Sequence, residues 1–109
     1  MGTDSSVIRG TLDLLILKTL AEEPMHGWGI GERIQLRSET LKVQQGSLYA
    51  SLHKLTREGW IRSYWSDTEN GRRARYYELT RAGQKQLQVE TDHWLRLAHG
   101  VTRILAFNP

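Results

Sequence analysis

The stretch Gln44–Leu79 reads QQGSLYASLHKLTREGWIRSYWSDTENGRRARYYEL. Its first half has a helical period: Leu48, Leu52 and Leu55 recur at i, i+4 and i+7 and mark one buried face. Gly59 is placed to stop that helix as a left-handed cap. The opposite face presents Ser47, Ala50, Ser51, Lys54 and Arg57, with Tyr49 and His53 alongside. It is small near its beginning and basic towards its end, and small side chains let a helix approach another surface closely. Then the period changes. Trp60-Ile61-Arg62-Ser63-Tyr64-Trp65 is aromatic and strand-like. Asp67-Thr68-Glu69-Asn70-Gly71 is a turn in which Asn-Gly signals a hairpin. Arg72-Arg73-Ala74-Arg75-Tyr76-Tyr77-Glu78-Leu79 returns as a second strand with three arginines in four positions.

Upstream, Gly10-Thr11-Leu12-Asp13-Leu14-Leu15-Ile16-Leu17-Lys18-Thr19-Leu20-Ala21 places Leu12, Ile16, Leu17 and Leu20 at helical spacing, with Leu15 three after Leu12. Gly10 or Thr11 can begin this helix, residues 1–7 read as a tail, and Pro24 ends it by disfavouring helical geometry at Glu23. Being apolar on most sides, it is expected at the centre. A second helix opens at His26-Gly27-Trp28-Gly29-Ile30 and continues through Ile34, with Leu41 beyond it. Arg33 and Arg37 lie one turn apart on another face. Glycines 29 and 31 are unfavourable in a helix interior and point to close packing.

Downstream, a segment from about Ala82 to Phe107 carries Leu87, Thr91, Trp94, Ala98, Val101 and Leu105 at alternating steps of four and three. This is a heptad-like seam with one polar position, slightly weakened by Gly100. At about 1.5 Å per residue the helix spans roughly 30 Å or more. Either it folds back on its own domain or a second subunit buries the seam; its length favours the second. A chain this short buries a modest core, which a partner would augment.

The chain has 109 residues, a formal net charge of +3 and no cysteine. Disulfide scaffolds and Cys-ligated metal sites are excluded, and a reducing, cytoplasmic setting fits. The longest apolar run, Leu12–Leu20, contains Asp13 and Lys18 and is too short for a membrane span. The N-terminus shows no signal-peptide core. His26, His53, His93 and His99 are scattered, no Gly-rich phosphate loop or nucleophile elbow occurs, and Glu22-Glu23 at a helix end read as solvated. No enzyme, metal site or cofactor is expected. The net charge hides a segregation: residues 1–40 hold four basic and six acidic side chains, residues 41–85 nine and four, and the remainder two and two. Positive charge in the middle of the chain favours a polyanion.

Three helices, then a hairpin, then a long helix make a mainly α protein with a small β-hairpin, on the winged helix-turn-helix plan. Residues 8–80 would form the DNA-binding domain and residues 81–107 a dimerisation helix. The third helix would enter the major groove of double-stranded DNA, with the arginine-rich hairpin along the backbone or in the neighbouring minor groove.

Gly10-Thr11-Leu12-Asp13-Leu14-Leu15-Ile16-Leu17, His26-Gly27-Trp28-Gly29-Ile30, Gly46-Ser47-Leu48-Tyr49, Gly59-Trp60-Ile61 and Arg72-Arg73-Ala74-Arg75-Tyr76-Tyr77-Glu78-Leu79-Thr80, in that order and spacing, resemble the PadR transcriptional regulators, named for the phenolic acid decarboxylase regulator. The resemblance runs from about Gly10 to the C-terminus and is closest to the short members with one C-terminal helix. One departure is Ala50, where the family usually has Pro; both residues suit a helix's first turn. The resemblance implies a homodimeric DNA-binding repressor of promoters near its own gene, a phosphate or groove contact for Tyr49, and, for some members, response to aromatic effectors at the dimer centre.

The expected recognition residues are Gln45, Ser47, Tyr49, Ala50, His53 and Lys54. Gln45 can read adenine or hold a phosphate. Ser47 either meets phosphate at the helix N-terminus or caps the helix. Tyr49 has packing beneath the wing as its alternative, and Lys54 suits phosphate. In the wing the expected residues are Asn70, Gly71, Arg72, Arg73 and Arg75. Strand alternation puts Arg73, Arg75, Tyr77 and Leu79 on one face and Arg72, Ala74, Tyr76 and Glu78 on the other. Twist near the tip favours Arg72 and Arg73 for DNA, while Arg75 either binds DNA or pairs with Glu69 or Glu58. Trp28, Trp60 and Trp65 read as packing residues. Trp94 on the seam offers either ordinary interface packing or, doubled by symmetry, a slot for a planar aromatic effector. The rival to a DNA-binding regulator is a winged-helix adaptor that binds protein, since fold does not fix function.

Overall fold

The computed structural model describes the backbone of residues 5–108 and the side chains of residues 11–108. Helix α1 runs Ser5–Leu20, strand β1 Met25–His26, α2 Gly27–Arg37, α3 Gln45–Arg57, β2 Ile61–Asp67, β3 Arg73–Leu79 and α4 Arg81–Leu105. The expected tail over residues 1–7 is shortened: residues 1–4 lie outside the described residues, and α1 has already begun at Ser5. The apolar pattern starts only at Leu12, so it carries no signal for the earlier turns.

Helix α1 is central. Leu12, Ile16 and Leu17 are fully buried and Leu20 nearly so, against Ile30 and Ile34 of α2, Leu48, Leu52 and Leu55 of α3, and Ile61 and Tyr77 of the sheet. Buried Thr19 satisfies its hydroxyl by donating to the Leu15 carbonyl at 2.7 Å. Leu15, Val43, Trp60, Leu79 and Leu87 close the edges of this core.

The sheet has three strands in the order β1-β3-β2, all antiparallel, where a two-stranded hairpin was expected. The added strand is two residues long, with Met25 opposite Tyr77 and His26 opposite Tyr76. His26 then caps α2: its Nδ1 accepts from the Gly29 N–H at 3.1 Å. The hairpin closes through Gly71 N–H to Thr68 C=O and Thr68 N–H to Arg72 C=O. This is a type I turn completed by Gly71 at φ +79°, a three-residue loop with a glycine bulge. Gly59 also has φ +79° and ends α3 as its position in the sequence predicts.

The start of α4 is keyed to the turn between α3 and β2. Thr80 Oγ1 accepts from the Gly83 N–H at 3.0 Å and reaches the carbonyls of Gly59 and Trp60 at 2.7 and 3.0 Å. The Thr80 N–H donates to the same Trp60 carbonyl at 3.1 Å. Gly83 is buried against it. From there α4 extends 25 residues, about 37 Å at the helical rise, and stops short of Phe107, the last residue of the expected segment. Past Leu87 and Thr91 it leaves its own domain. Trp94 is 41% exposed, Val101 48% and Leu105 79%. Leu95, Leu97 and Ile104, outside the expected seam, are exposed as well. At 100° per residue these three widen the seam to an apolar arc of about half the helix circumference. Among the described residues no helix is long and apolar enough to cross a membrane.

Candidate nucleic-acid interface

The burial of Leu48, Leu52 and Leu55 fixes which side of α3 looks outward. At helical periodicity that stripe is Gly46, Ala50, His53 and Arg57, and all four are exposed. Gln44 is the N-cap and makes no side-chain cap bond. Ser47 lies in the first turn and does not cap the helix, which removes that alternative. Glycine 46 has nothing within 4 Å of where a side chain would begin, so the first turn's N–H groups stand open for an anion.

Two grooves flank this stripe. On one side Gly46, Ser47, Ala50, Ser51 and Lys54 face Asp13 of α1. Lys54, expected on phosphate, instead hydrogen-bonds Asp13 at 2.5 Å, and this partner raises its ammonium pKa above the usual lysine value. On the other side a cleft of about 460 Å³ separates α3 from the hairpin, lined by Tyr49, His53, Thr56, Arg57, Ser63, Arg75 and Tyr77. Tyr49 is half exposed, and its ring rests on Gly27 at the start of α2, where a Cβ would come within 2.8 Å of the hydroxyl. It packs on α2 and borders the cleft at once. Tyr77 forms the cleft floor, and burial raises its phenol pKa.

The hairpin's two faces carry different contents. The outer face holds the Tyr64–Tyr76 stack at 5.9 Å and the Arg62–Glu78 ion pair at 3.2 Å. The face towards α3 holds Trp65, with the guanidinium carbons of Arg75 and Arg73 at 5.1 and 5.9 Å from its ring centroid. Arg75 pairs with neither Glu69 nor Glu58, so that alternative falls. Asn70, Gly71 and Arg72 form the exposed tip, and Arg72 closes the loop opposite Thr68, one residue before β3 begins. Trp60 packs on the core as expected, but Trp28 and Trp65 are 56% and 55% exposed. Trp65 lies past the end of the sheet's buried portion, and Trp28 sits outside His26 on the first turn of α2, with the two rings stacked at 6.5 Å.

Ion pairs occupy four of the cations among the described residues. Arg33 and Arg37 both bind Glu22, and Arg33 also reaches Glu23. Glu22 and Glu23, expected merely solvated, are thus paired. The Arg37 hydrogen bond, with Arg33 adding to it, holds the Glu22 carboxyl below its usual value. Among the described residues Arg57, Arg72, Arg73 and Arg75 have no carboxylate partner and lie on the edge formed by α3 and the hairpin; Lys18, Lys42 and, on α4, Arg81, Lys85, Arg96 and Arg103 are likewise in no ion pair. Arg57 and Trp65 were absent from the expected site. Arg57 could have been found from its place opposite Leu48 and Leu55; Trp65 could be found only through the strand register. No group of three His, Asp or Glu residues able to hold a metal occurs among the described residues.

Comparison with known proteins agrees with this geometry. The model of the transcriptional regulator PadR-like family matches residues 16–89. An uncharacterized protein of Lysinibacillus sphaericus is 30% identical over 91 residues, 83% of this chain and 84% of its own. A transcriptional regulator from Clostridium thermocellum superposes with a TM-score of 0.80 at 29% identity, covering 96% of this chain and 99% of that one. A PadR-like transcriptional regulator from Bacillus cereus shares the fold with a TM-score of 0.82 at 24% identity, covering 95% and 100%.

Proposed function

The chain belongs to the PadR-like family of transcriptional regulators, and from that premise we propose that it is a cytoplasmic, homodimeric repressor of an inverted-repeat operator. As a family member it is a DNA-binding regulator and not an enzyme. The observation that carries the finer reading is a cluster of cations: Arg57, Arg72, Arg73 and Arg75, none with a carboxylate partner, gather on the α3–hairpin edge, where Arg57 and Arg75 line one cleft with Tyr49 and His53.

In this reading residues 8–80 bind DNA and residues 81–107 dimerise. Gln45, Ser47, Tyr49, Ala50 and His53, joined by Arg57, enter the major groove. Asn70, Gly71, Arg72, Arg73 and Arg75 follow the backbone; Lys54 contributes to phosphate only if it leaves Asp13. Leu87, Thr91, Trp94, Ala98, Val101 and Leu105 form the subunit seam, in which Trp94, Val101 and Leu105 are exposed. The pairing sets two copies of α3 about 34 Å apart, one turn of duplex. Bound there, the dimer blocks polymerase. A planar aromatic effector between paired Trp94 rings would release it by favouring a different spacing.

The test is binding of the purified protein to duplex from upstream of its own gene, against scrambled duplex, across salt. Selective binding of one dimer per site with roughly nanomolar affinity, lost on Arg72→Ala plus Arg73→Ala, supports the reading. Equal binding to both duplexes, or none at low salt, overturns it in favour of a protein-binding adaptor.

A further inference from the structure

The cross-strand register places Trp65 directly opposite Arg75, and Arg73 is the diagonal neighbour on the same face, within reach of long side chains. Both guanidiniums come within cation–π range of one indole, at 5.1 and 5.9 Å. Such stacking engages the face of a guanidinium and leaves the N–H groups on its edge free. Neither arginine has a carboxylate among the described residues, although Asp67 is the register partner of Arg73. On the opposite face Arg62 is bound to Glu78. Trp65 thus holds two arginines in place without using the donors that bind phosphate. Both lie on the face that shares a cleft with Tyr49, His53 and Arg57.

We infer that Trp65 is a positioning residue of the wing. Its indole holds Arg73 and Arg75 along the α3-facing side of the hairpin, where their edge N–H groups clamp phosphates bordering the groove that α3 enters. Trp65 itself touches no base. This inference rests on the DNA-binding reading and names which side chain organises its phosphate contacts.

The experiment uses the full chain and fluorescence anisotropy with duplex from upstream of its own gene, for Trp65→Leu, Trp65→Phe, Arg73→Ala plus Arg75→Ala, and that pair combined with Trp65→Leu. Two exposed cation–π contacts predict about five- to thirty-fold weaker binding for Trp65→Leu. Trp65→Phe, which keeps a π face, recovers most of the loss. The double arginine variant lowers the slope of log K against log salt by about two. Trp65→Leu leaves that slope unchanged because every charge remains. Adding Trp65→Leu to the arginine pair weakens binding no further, since it acts through them. Undiminished binding by Trp65→Leu overturns the inference, as do losses that multiply in the combined variant, which would make Trp65 a contact in its own right. If Trp65→Leu does not fold, failure of Trp65→Phe to bind like the parent chain overturns it too. A parent chain that binds no duplex overturns the DNA-binding reading itself, whatever Trp65 does.

Discussion

Replacing Gly83 with Ala should loosen the joint between α4 and the rest of the molecule. A Cβ built at Gly83 falls 1.9 Å from the Trp60 carbonyl oxygen, 2.9 Å from its carbon and 2.7 Å from Leu79 Cδ1. Leu79 can rotate aside, but the carbonyl cannot, because it is held by the N–H and hydroxyl of Thr80 at 3.1 and 3.0 Å. Ordinary contact begins near 3.4 Å, so α4 must retreat by about 1.5 Å. That retreat stretches the Thr80 bonds and the Gly83 N–H cap together. Forced backbone movement costs about 1–3 kcal/mol and a lost cap about 1 kcal/mol. Better helix propensity returns about 1 kcal/mol, leaving a net loss of about 1–3 kcal/mol. For a domain of this size the melting temperature falls by roughly 5–20 °C, read by circular dichroism at fixed protein concentration. Gly100, in the same helix, has nothing within 4 Å and lies off the seam. There the same substitution should stabilise by about 0.5–1 kcal/mol. A Gly83→Ala variant that melts at or above the parent temperature refutes the reasoning.

Glu22→Gln should destabilise the protein at neutral pH and progressively less in acid. The Glu22 carboxyl is held below the usual carboxylate value of 4.5, first by Arg37, so its contribution is full above that value and disappears as pH falls through the lowered one. Parallel melting series should converge below pH 4.5, and a constant offset down to pH 3 would contradict this. Lys54→Ala should leave the salt slope of DNA binding unchanged because Lys54 is engaged with Asp13; a slope lower by about one would place Lys54 on phosphate. Val101→Asp should yield a folded monomer in sedimentation analysis, and a persistent dimer would move the interface away from α4.

The core was legible because local periodicity determined it: Leu12, Ile16 and Leu17, and Leu48, Leu52 and Leu55, sit in their helices as their spacing predicts. So was Gly59, whose positive φ favours glycine. What escaped reading was non-local. Strand β1 is too short to alternate and exists only by pairing with Tyr76 and Tyr77. The partner of Lys54 lies 41 residues away in the chain. Asn70-Gly71 announces a hairpin without giving its loop length. A two-residue loop there would set Trp65 opposite Tyr76, whereas the three-residue loop sets it opposite Arg75. One residue of register thus exchanges an aromatic pair for a cation–π pair. Sequence hydrophobicity put Trp28 and Trp65 inside because it cannot see where the sheet outruns the core beneath it.

The uncovered outer part of α4 has a consequence for how response follows abundance. A dozen or so helical residues left largely exposed by the rest of the described chain are marginal on their own in water, so in a homodimer built through α4 the formation of its outer turns and the joining of subunits are one event. Free protomers would then carry a shortened helix and a single recognition helix, and bind poorly. Operator occupancy would climb with roughly the square of protomer concentration while dimers are scarce. In a dimeric repressor silencing would therefore steepen with protein level, and dilution by growth would lower the dimer faster than the protomer.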